Sequence, residues 1–292
     1  MTLILDGKRA RDFYKTQLID RLTRLSSKPL LALIHIGNNA ESAIYIEQKK
    51  KFAASIGALV EHIHLAETTS EADVRSHIAA LNARTDVHGI IIQLPIPAHL
   101  NKATLIECID PQKDVDGLTD TNQHLLSIGK PQFIPATAKG VSLLMDFYNI
   151  NPKGKTVAVF GRSRLVGHPT AELLKHKGAT VFVCHSQTPN PQEISRKADI
   201  VIVAIGKPEC IDASYIHSGA IVIDVGINSI SGKKLEEELP KQRLVGDVQF
   251  ASVSPLVSAI SPVPGGVGPM TVLSLFDNLI LSAEMAHGRR IS

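Results

Sequence analysis

Tryptophan is absent from the 292 residues and all aromatics together make up only 4%, so a base-stacking platform for single-stranded nucleic acid is not expected. Cysteine is scarce as well. Cys108, Cys184 and Cys210 are odd in number and contain no C-x-x-C pair, which argues against a disulfide framework and a cysteine zinc site. No apolar run approaches the roughly 20 residues that span a bilayer; Ile200 to Ile205 is among the longest. Neither charge sign dominates, with 31 basic and 28 acidic residues and a net charge of +3. The basic residues are scattered apart from Lys49-Lys50-Lys51, a balance that tolerates an anionic ligand without suggesting a nucleic-acid partner. The opening residues reach Asp6 before a signal-peptide core develops, so a cytoplasmic location and no membrane partner are expected.

What the chain does contain is enough apolar material for a large core, 44% against 20% charged, over a length that suits two domains. Its 20 Gly and 16 Pro show no period, which excludes a collagen-like repeat. In the first half, Leu30 to Ile36 and Val87 to Leu94 are short apolar runs bounded by Pro or Gly, the pattern of strands buried on both faces. Between them the spacing predicts two helices. One follows Gly37-Asn38-Asn39, with Ala40, Ile44, Phe52 and Ile56 as its apolar stripe and Gly57 as its end. The other opens at Thr68-Thr69-Ser70-Glu71 and carries Val74, Ile78 and Leu81. After Gly129-Lys130-Pro131 a second strand series begins: Thr156 to Phe160, Thr180 to Cys184, Asp199 to Ile205 and Ala220 to Val225. The expected fold class is α/β, with two α/β domains, the second a doubly wound Rossmann-like parallel sheet.

The first strand of that series runs into Gly161-Arg162-Ser163-Arg164-Leu165-Val166-Gly167-His168-Pro169 and then into a helix closed by Gly178. Gly161 permits a tight turn, Gly167 a close backbone approach, and the helix start offers N–H groups to phosphate oxygens. The spacing departs from G-x-G-x-x-G, and a ligand-free Gly-rich turn is the other reading. The place on the first strand-to-helix turn of a doubly wound domain favours a nucleotide. The second strand ends Cys184-His185-Ser186-Gln187-Thr188, without the carboxylate that usually holds a ribose 2'-hydroxyl, while Arg162 and Arg164 stand on the opposing turn. A guanidinium pairs well with a phosphate, so NADP is favoured over NAD.

In the first domain Tyr45 and Lys49 are four residues apart and share a helix face beside the apolar stripe. A partly buried Lys49 has its pKa lowered by desolvation and becomes usable for proton transfer near neutrality. From the helix alone, a lysine snorkelling out of its basic run is the simpler reading. Gln93, in Gln93-Leu94-Pro95-Ile96-Pro97, puts a neutral amide at the carboxyl edge of a sheet, able to orient a lysine or a water, or simply a polar residue leaving the core. Asp114-Val115-Asp116-Gly117 offers either two carboxylates or an Asp-rich turn. From Ser261 to Thr271, rigid Pro alternates with permissive Gly, which fits a loop laid against a flat ligand, or a hinge. His62 and His64 face one side of an extended segment with no third ligand nearby, so no metal is expected.

Taken together, several motifs resemble the bifunctional methylenetetrahydrofolate dehydrogenase/methenyltetrahydrofolate cyclohydrolase (FolD) family over nearly the whole chain. They are Ser42-Ala43-Ile44-Tyr45 with Lys49, Gln93-Leu94-Pro95, Lys113-Asp114-Val115-Asp116-Gly117, Gly161-Arg162-Ser163 with Val166-Gly167, and His185-Ser186. Asp224-Val225-Gly226-Ile227-Asn228, Gly246-Asp247-Val248 and the stretch from Pro262 to Pro269 complete the set. The resemblance implies NADP-dependent oxidation of 5,10-methylenetetrahydrofolate to the methenyl form, and its hydrolysis to 10-formyltetrahydrofolate in one interdomain cleft. It implies Lys49 as general acid/base, Gln93 as its orienter, Tyr45 as a stacking wall and Asp116 as the carboxylate that holds the pterin. Leu94 and Pro264-Gly265-Gly266 would line the folate pocket, and Gly161, Arg162, Ser163, Ser186 and Ile227 would hold NADP.

The implied partners are tetrahydrofolate derivatives and a second copy of the chain, a homodimer formed through the nucleotide domains. The implied domains are 1–119 plus 269–292 for folate and catalysis, and 120–268 for NADP. Three departures from the family pattern stand out: Ala138 where a proline is usual, Gln249 where an Asp is expected, and Ser261 where Thr is common. An NADP-dependent dehydrogenase of a small hydroxy or keto acid, or a non-catalytic nucleotide-binding subunit, would account for the second domain alone. A dehydrogenase without the cyclohydrolase would also fit the motifs.

Overall fold

The computed structural model describes residues 1–231 and 242–288. In chain order its strands are β1 (Leu3–Ile4), β2 (Leu30–Ile36), β3 (Leu59–Leu65), β4 (Gly89–Ile92), β5 (Thr156–Phe160) and β6 (Thr180–Cys184). They continue as β7 (Ile200–Val203), β8 (Ile221–Asp224), β9 (Asn228–Ser231), β10 (Gln242–Val245) and β11 (Ala259–Ile260). The chain divides into two compact units, Asp12–Ala136 with Val272–Ser292, and Met1–Arg11 with Thr137–Thr271. Among the described residues no helix is long and apolar enough to cross a membrane.

The unit around Asp12–Ala136 holds a parallel sheet in the order β3-β2-β4. All of β4 and nearly all of β2 are buried, which is why both read as unbroken apolar runs rather than as alternation. The crossover after β2 is helix Ala40–Ile56, opened by Asn39, whose side chain accepts from Ser42 N at 2.9 Å, and closed by Gly57 at φ 91°. The crossover after β3 is helix Glu71–Ala83, which buries Val74, Ile78 and Leu81 as its spacing predicts.

The face of the first helix differs from expectation. Ala40 is exposed and Ile44 is 59% exposed, whereas Ser42, Ile46, Ala53 and Ile56 are buried. The inward line therefore runs 42, 46, 49, 53, 56, alternating steps of four and three, with Phe52 alongside it. Taking Ile46 rather than Ile44 as the core residue rotates Lys49 onto the packed side of the helix.

The unit around Thr137–Thr271 holds a six-stranded sheet in the order β1-β11-β8-β7-β5-β6, parallel at every pairing. This is the doubly wound Rossmann-like sheet of the sequence reading. From β5 the chain steps to β6 on one side and then returns to β7 on the other. The carboxyl ends of β5 and β7 consequently flank the switch point, where open α/β sheets take their ligands. Ala158, Val201, Val203, Val222 and Ile260 form a fully buried layer beneath that edge. β9 and β10 pair antiparallel outside this sheet.

Two residues of β1 pair with β11 at the far edge, Leu3 with Ala259 and Ile4 with Ile260. A two-residue strand carries no period, so nothing local marks it. Contact thus groups residues 1–11 with the unit around Thr137–Thr271 and 120–136 with the other, whereas the sequence reading set its divisions after 119 and 268.

Candidate functional site

Lys49 leaves the packed side of helix Ala40–Ile56, and Gln93 is the first residue beyond β4, at the carboxyl end of the sheet. The two meet: Lys49 Nζ donates to Gln93 Oε1 at 2.7 Å. Gln93 is buried, and its own Nε2 donates to Leu94 O at 2.8 Å, which fixes which end of the amide faces the lysine. Ser42 Oγ reaches the same carbonyl at 3.4 Å. Removal from water lowers the Lys49 pKa from its ordinary value, and the negative charge of Asp116 works in the opposite sense. Tyr45, half-buried, stands one turn before Lys49 on the same helix.

Asp116 sits in a loop that is tied down on every side except its own carboxyl. The preceding carboxylate, Asp114, is buried and accepts from Leu118 N at 3.1 Å, from Thr119 N and Oγ1 at 2.8 Å each, and from Asn122 Nδ2 at 2.8 Å. Gln123 Nε2 holds Gly117 O at 2.8 Å, and Asn278 Nδ2 holds Val115 O at 2.9 Å. Lys113 fastens the start of the loop to the end of helix Glu71–Ala83 through Asn82 O at 2.7 Å. Burial pushes the Asp116 pKa up to about 6, opposed by Lys49 and assisted by Asp114. Of the two carboxylates offered by the sequence, Asp114 is committed to holding the loop, and Asp116 is the one whose pKa burial raises.

In the second unit Gly161 follows β5 with φ 107°, and a β-carbon there would overlap Ala204 O at the end of β7. A β-carbon at Gly167 would overlap Gly161 O. Both glycines are thus required by close backbone approach, which leaves a cradle at the switch point. The helix beyond, Gly167–His176, begins on Ser163. Its hydroxyl accepts from Val166 N at 3.2 Å and its carbonyl from His168 N at 3.0 Å. Part of the N–H set expected to face a ligand is therefore committed to Ser163. Arg162, Arg164 and Ser186 are exposed at the carboxyl ends of β5 and β6, with no carboxylate between Cys184 and Thr188. This donor set fits a dinucleotide bearing a 2'-phosphate.

Ile227, 41% exposed, lies beyond β8. Pro264 is exposed and Gly266 buried in a loop pinned by Gly7 N donating to Gly265 O at 2.9 Å. Tyr45, Lys49, Gln93, Leu94 and Asp116 therefore share one unit, and Gly161, Arg162, Ser163, Ser186, Ile227 and the 264–266 turn share the other.

All three departures lie in the second unit. Ser261 Oγ accepts from Asp224 N at 2.8 Å. Ala138 is wholly buried in helix Ala136–Phe147. Gln249 precedes the short helix Phe250–Val253 without capping it through its side chain. The sequence does not single out Gln123 or Asn278, whose side chains hold backbone carbonyls, or Asp247, which accepts from backbone amides. Asp114 and Asp247 both lie in motifs visible in the sequence, Asp114-Val115-Asp116-Gly117 and Gly246-Asp247-Val248. His62 and His64 stack with His35, at 5.6 and 4.7 Å between ring centres. Among the described residues no group of His, Cys, Asp or Glu is arranged to hold a metal ion.

The family "Tetrahydrofolate dehydrogenase/cyclohydrolase, catalytic domain" matches residues 5–116, and its "NAD(P)-binding domain" matches residues 135–287. The chain is 42% identical over 283 residues to the bifunctional protein FolD of Agathobacter rectalis, covering 96% of this chain and 98% of that protein. Its fold superposes on the crystal structure of the Campylobacter jejuni FolD enzyme with a TM-score of 0.91 at 38% identity, covering 98% of this chain and 99% of the other. For the Trypanosoma brucei FolD, solved with NADP and an inhibitor, the TM-score is 0.92 at 33% identity, with 98% of each chain covered. With both domain families matched in order and the switch-point cradle and lysine-glutamine pair in place, the chain belongs to the tetrahydrofolate dehydrogenase/cyclohydrolase family.

Proposed function

We propose that Lys49, oriented by Gln93, serves two consecutive reactions of the tetrahydrofolate one-carbon bridge, staying neutral while hydride leaves and taking a proton from water in the hydrolysis, and that Asp116 anchors the substrate beside it. The protein oxidises 5,10-methylenetetrahydrofolate with NADP to the methenyl form and hydrolyses that to 10-formyltetrahydrofolate. The observation that carries the assignment is the 2.7 Å contact between Lys49 Nζ and Gln93 Oε1, made by a lysine held below its ordinary pKa by burial.

Oxidation leaves positive charge on the carbon bridging the two folate nitrogens. A protonated ammonium beside that carbon would oppose the charge, whereas a neutral amine does not. Gln93 suits this task because an amide accepts from the lysine without titrating. NADP, when bound, supplies the two-electron acceptor. Gly161, Arg162, Ser163, Ser186 and Ile227 would hold it, and a guanidinium of this turn would pair with the 2'-phosphate.

In hydrolysis, water adds to the methenyl carbon and gives a proton to the Lys49 amine. The carbon–N5 bond then breaks. Of the two water protons, one ends on N5 and the other is released, leaving the formyl group on N10. Asp116, ionised above about 6, would accept the paired N–H groups of the pterin edge. Tyr45 would stack on the ring one helical turn from the lysine, and Leu94 with Pro264, Gly265 and Gly266 would line the folate pocket.

The domain division at 119/120 and 268/269, a homodimer and a cytoplasmic location belong to the same proposal. For the homodimer, support comes from β6, an edge strand of the large sheet on which Phe182 is 46% exposed. A spectrophotometric assay following NADPH and methenyl absorbance together, with NAD as the comparison cofactor, tests the assignment. NADPH should appear with methylenetetrahydrofolate and the methenyl signal should then decay. NADPH formation only with small hydroxy acids would overturn it.

A further inference from the structure

The carboxyl edge of the large sheet carries a pair of buried carboxylates that the chemistry above does not use. Asp247 is wholly buried and Asp224 is 3% exposed. Burying two carboxyl groups side by side costs stability, and a core of apolar residues would serve the fold at lower cost. Their position explains why they are there. Asp247 Oδ2 accepts from Ile205 N at 2.6 Å and from Gly206 N at 2.8 Å, both in the loop leaving β7 at the switch point. Its Oδ1 accepts from Asn228 Nδ2 at 2.8 Å, in the segment leaving β8.

We propose that Asp247 is the positioning residue of the dinucleotide pocket, tying the loop after β7 to the loop after β8 so that Ile227 and the Ala204–Gly206 backbone keep their places. The proposal rests on the reading of this edge as the NADP site. Ile227 is held between two neighbours committed to Asp247. Asn228 bonds to its carboxylate, and a β-carbon at Gly226 would overlap that carboxylate. Asp224 buttresses the arrangement from behind. Its carboxylate accepts from the amides of Gly226 at 3.0 Å, Asp247 at 3.1 Å and Val248 at 2.8 Å. A β-carbon at Gly246 would overlap Asp224 in turn, so the glycines of both motifs are demanded by these two carboxyl groups. The loop after β7 also carries Ala204 O, against which Gly161 is packed, and one carboxylate thereby ties the ends of β5, β7 and β8 together.

The experiment measures NADP affinity by titration calorimetry on the full chain, alongside dehydrogenase kinetics and thermal melting. In Asp247→Asn one oxygen becomes an N–H donor and faces a donor it formerly bonded. Loss of a charge-assisted contact of this kind corresponds to about a 10- to 100-fold rise in the Kd for NADP. The KM for NADP should rise with it, while kcat at saturating NADP changes far less. The double variant Asp247→Asn with Asn228→Asp restores a donor facing an acceptor and should recover most of the affinity. Should Asp247→Asn fail to fold, Asn228→Ala removes one arm alone and should weaken NADP binding several-fold. NADP affinity equal to that of the unsubstituted chain in either folded variant would overturn the proposal. So would a melting temperature that falls in step with the loss of NADP binding and is not restored in the double variant. Absence of NADP binding by the unsubstituted chain would instead remove the cofactor reading, and this proposal with it.

Discussion

Gln93 points its amide oxygen at Lys49 Nζ, 2.7 Å away, because its nitrogen is already committed to Leu94 O at 2.8 Å. A lysine facing an acceptor that cannot ionise is supported without being forced into the charged state. Replacing the amine tests this directly. Lys49→Met should lower cyclohydrolase turnover by about 10²- to 10⁴-fold, the usual contribution of a positioned acid/base, with NADP affinity retained in calorimetry. Undiminished hydrolysis would remove Lys49 from the mechanism.

Gln93→Glu asks the complementary question. A carboxylate at the same distance favours the ammonium form and raises the lysine pKa. The limb of the rate profile that reports Lys49 deprotonation should move to higher pH, with reduced rate at neutrality. A profile that overlays the unsubstituted enzyme would show that Gln93 does not govern the charge of Lys49.

Asp116 is pushed up to about 6 by burial, so its carboxylate forms only as pH rises through that value. Folate binding that depends on the ionised form should weaken as pH falls through this region. Asp116→Asn should raise the folate KM or lower turnover at pH 8 and flatten the acid-side dependence. A melting curve on the same samples separates this from unfolding. Retention of the acid-side limb in the variant would assign it to another group.

Asn278 donates from Nδ2 to Val115 O and to Ile134 O, 2.9 Å each, and so anchors the Asp116 loop from helix Val267–Ala286. Asn278→Ala leaves two carbonyls without that donor, at a cost of about 1–3 kcal/mol each. The melting temperature should fall by about 2–4 °C per kcal/mol, and the folate KM should rise more than the NADP KM. An equal rise in both would argue for general loosening instead.

His35 is 5% exposed, stacks 4.7 Å from His64, and has both ring nitrogens without a hydrogen-bond partner. Burial lowers the pKa of His35, with His64 adding to the effect. Burial also lowers that of His62, where Lys50 and the other imidazoles contribute and Glu47 opposes them. The unfolded chain takes up these protons near pH 6.5, about the free histidine value, and the folded chain only at lower pH. Stability should therefore be fullest above about 6.5 and decline as pH falls below it. His35→Leu should raise the melting temperature by about 2–4 °C at pH 7.5, with a larger gain at pH 5.5. A gain that does not grow on acidification would contradict the lowered pKa.

Much of this molecule was legible along the chain. Unbroken apolar runs marked β2, β4, β5 and β7, because strands buried on both faces leave no alternation to hide them. Asn39 and Gly57 marked the ends of the lysine-bearing helix, since caps act on their own neighbours. Gly161 announced its turn for the same local reason. Ile44 misled: the choice between it and Ile46 depends on what the helix packs against, and a single helical turn cannot express that.

What the linear chain determined by itself was the set of elements, their order and the residue types able to do the chemistry, because caps, turns and buried runs act over a few residues. Tertiary structure alone decided which of Asp114 and Asp116 becomes a scaffold, that Asn278 holds a loop far from it in sequence, and that Asp247 ties together the ends of separate strands. Those roles depend on desolvation and on hydrogen-bond partners brought from distant segments, and neither is a property of the residue or of its neighbours in the chain.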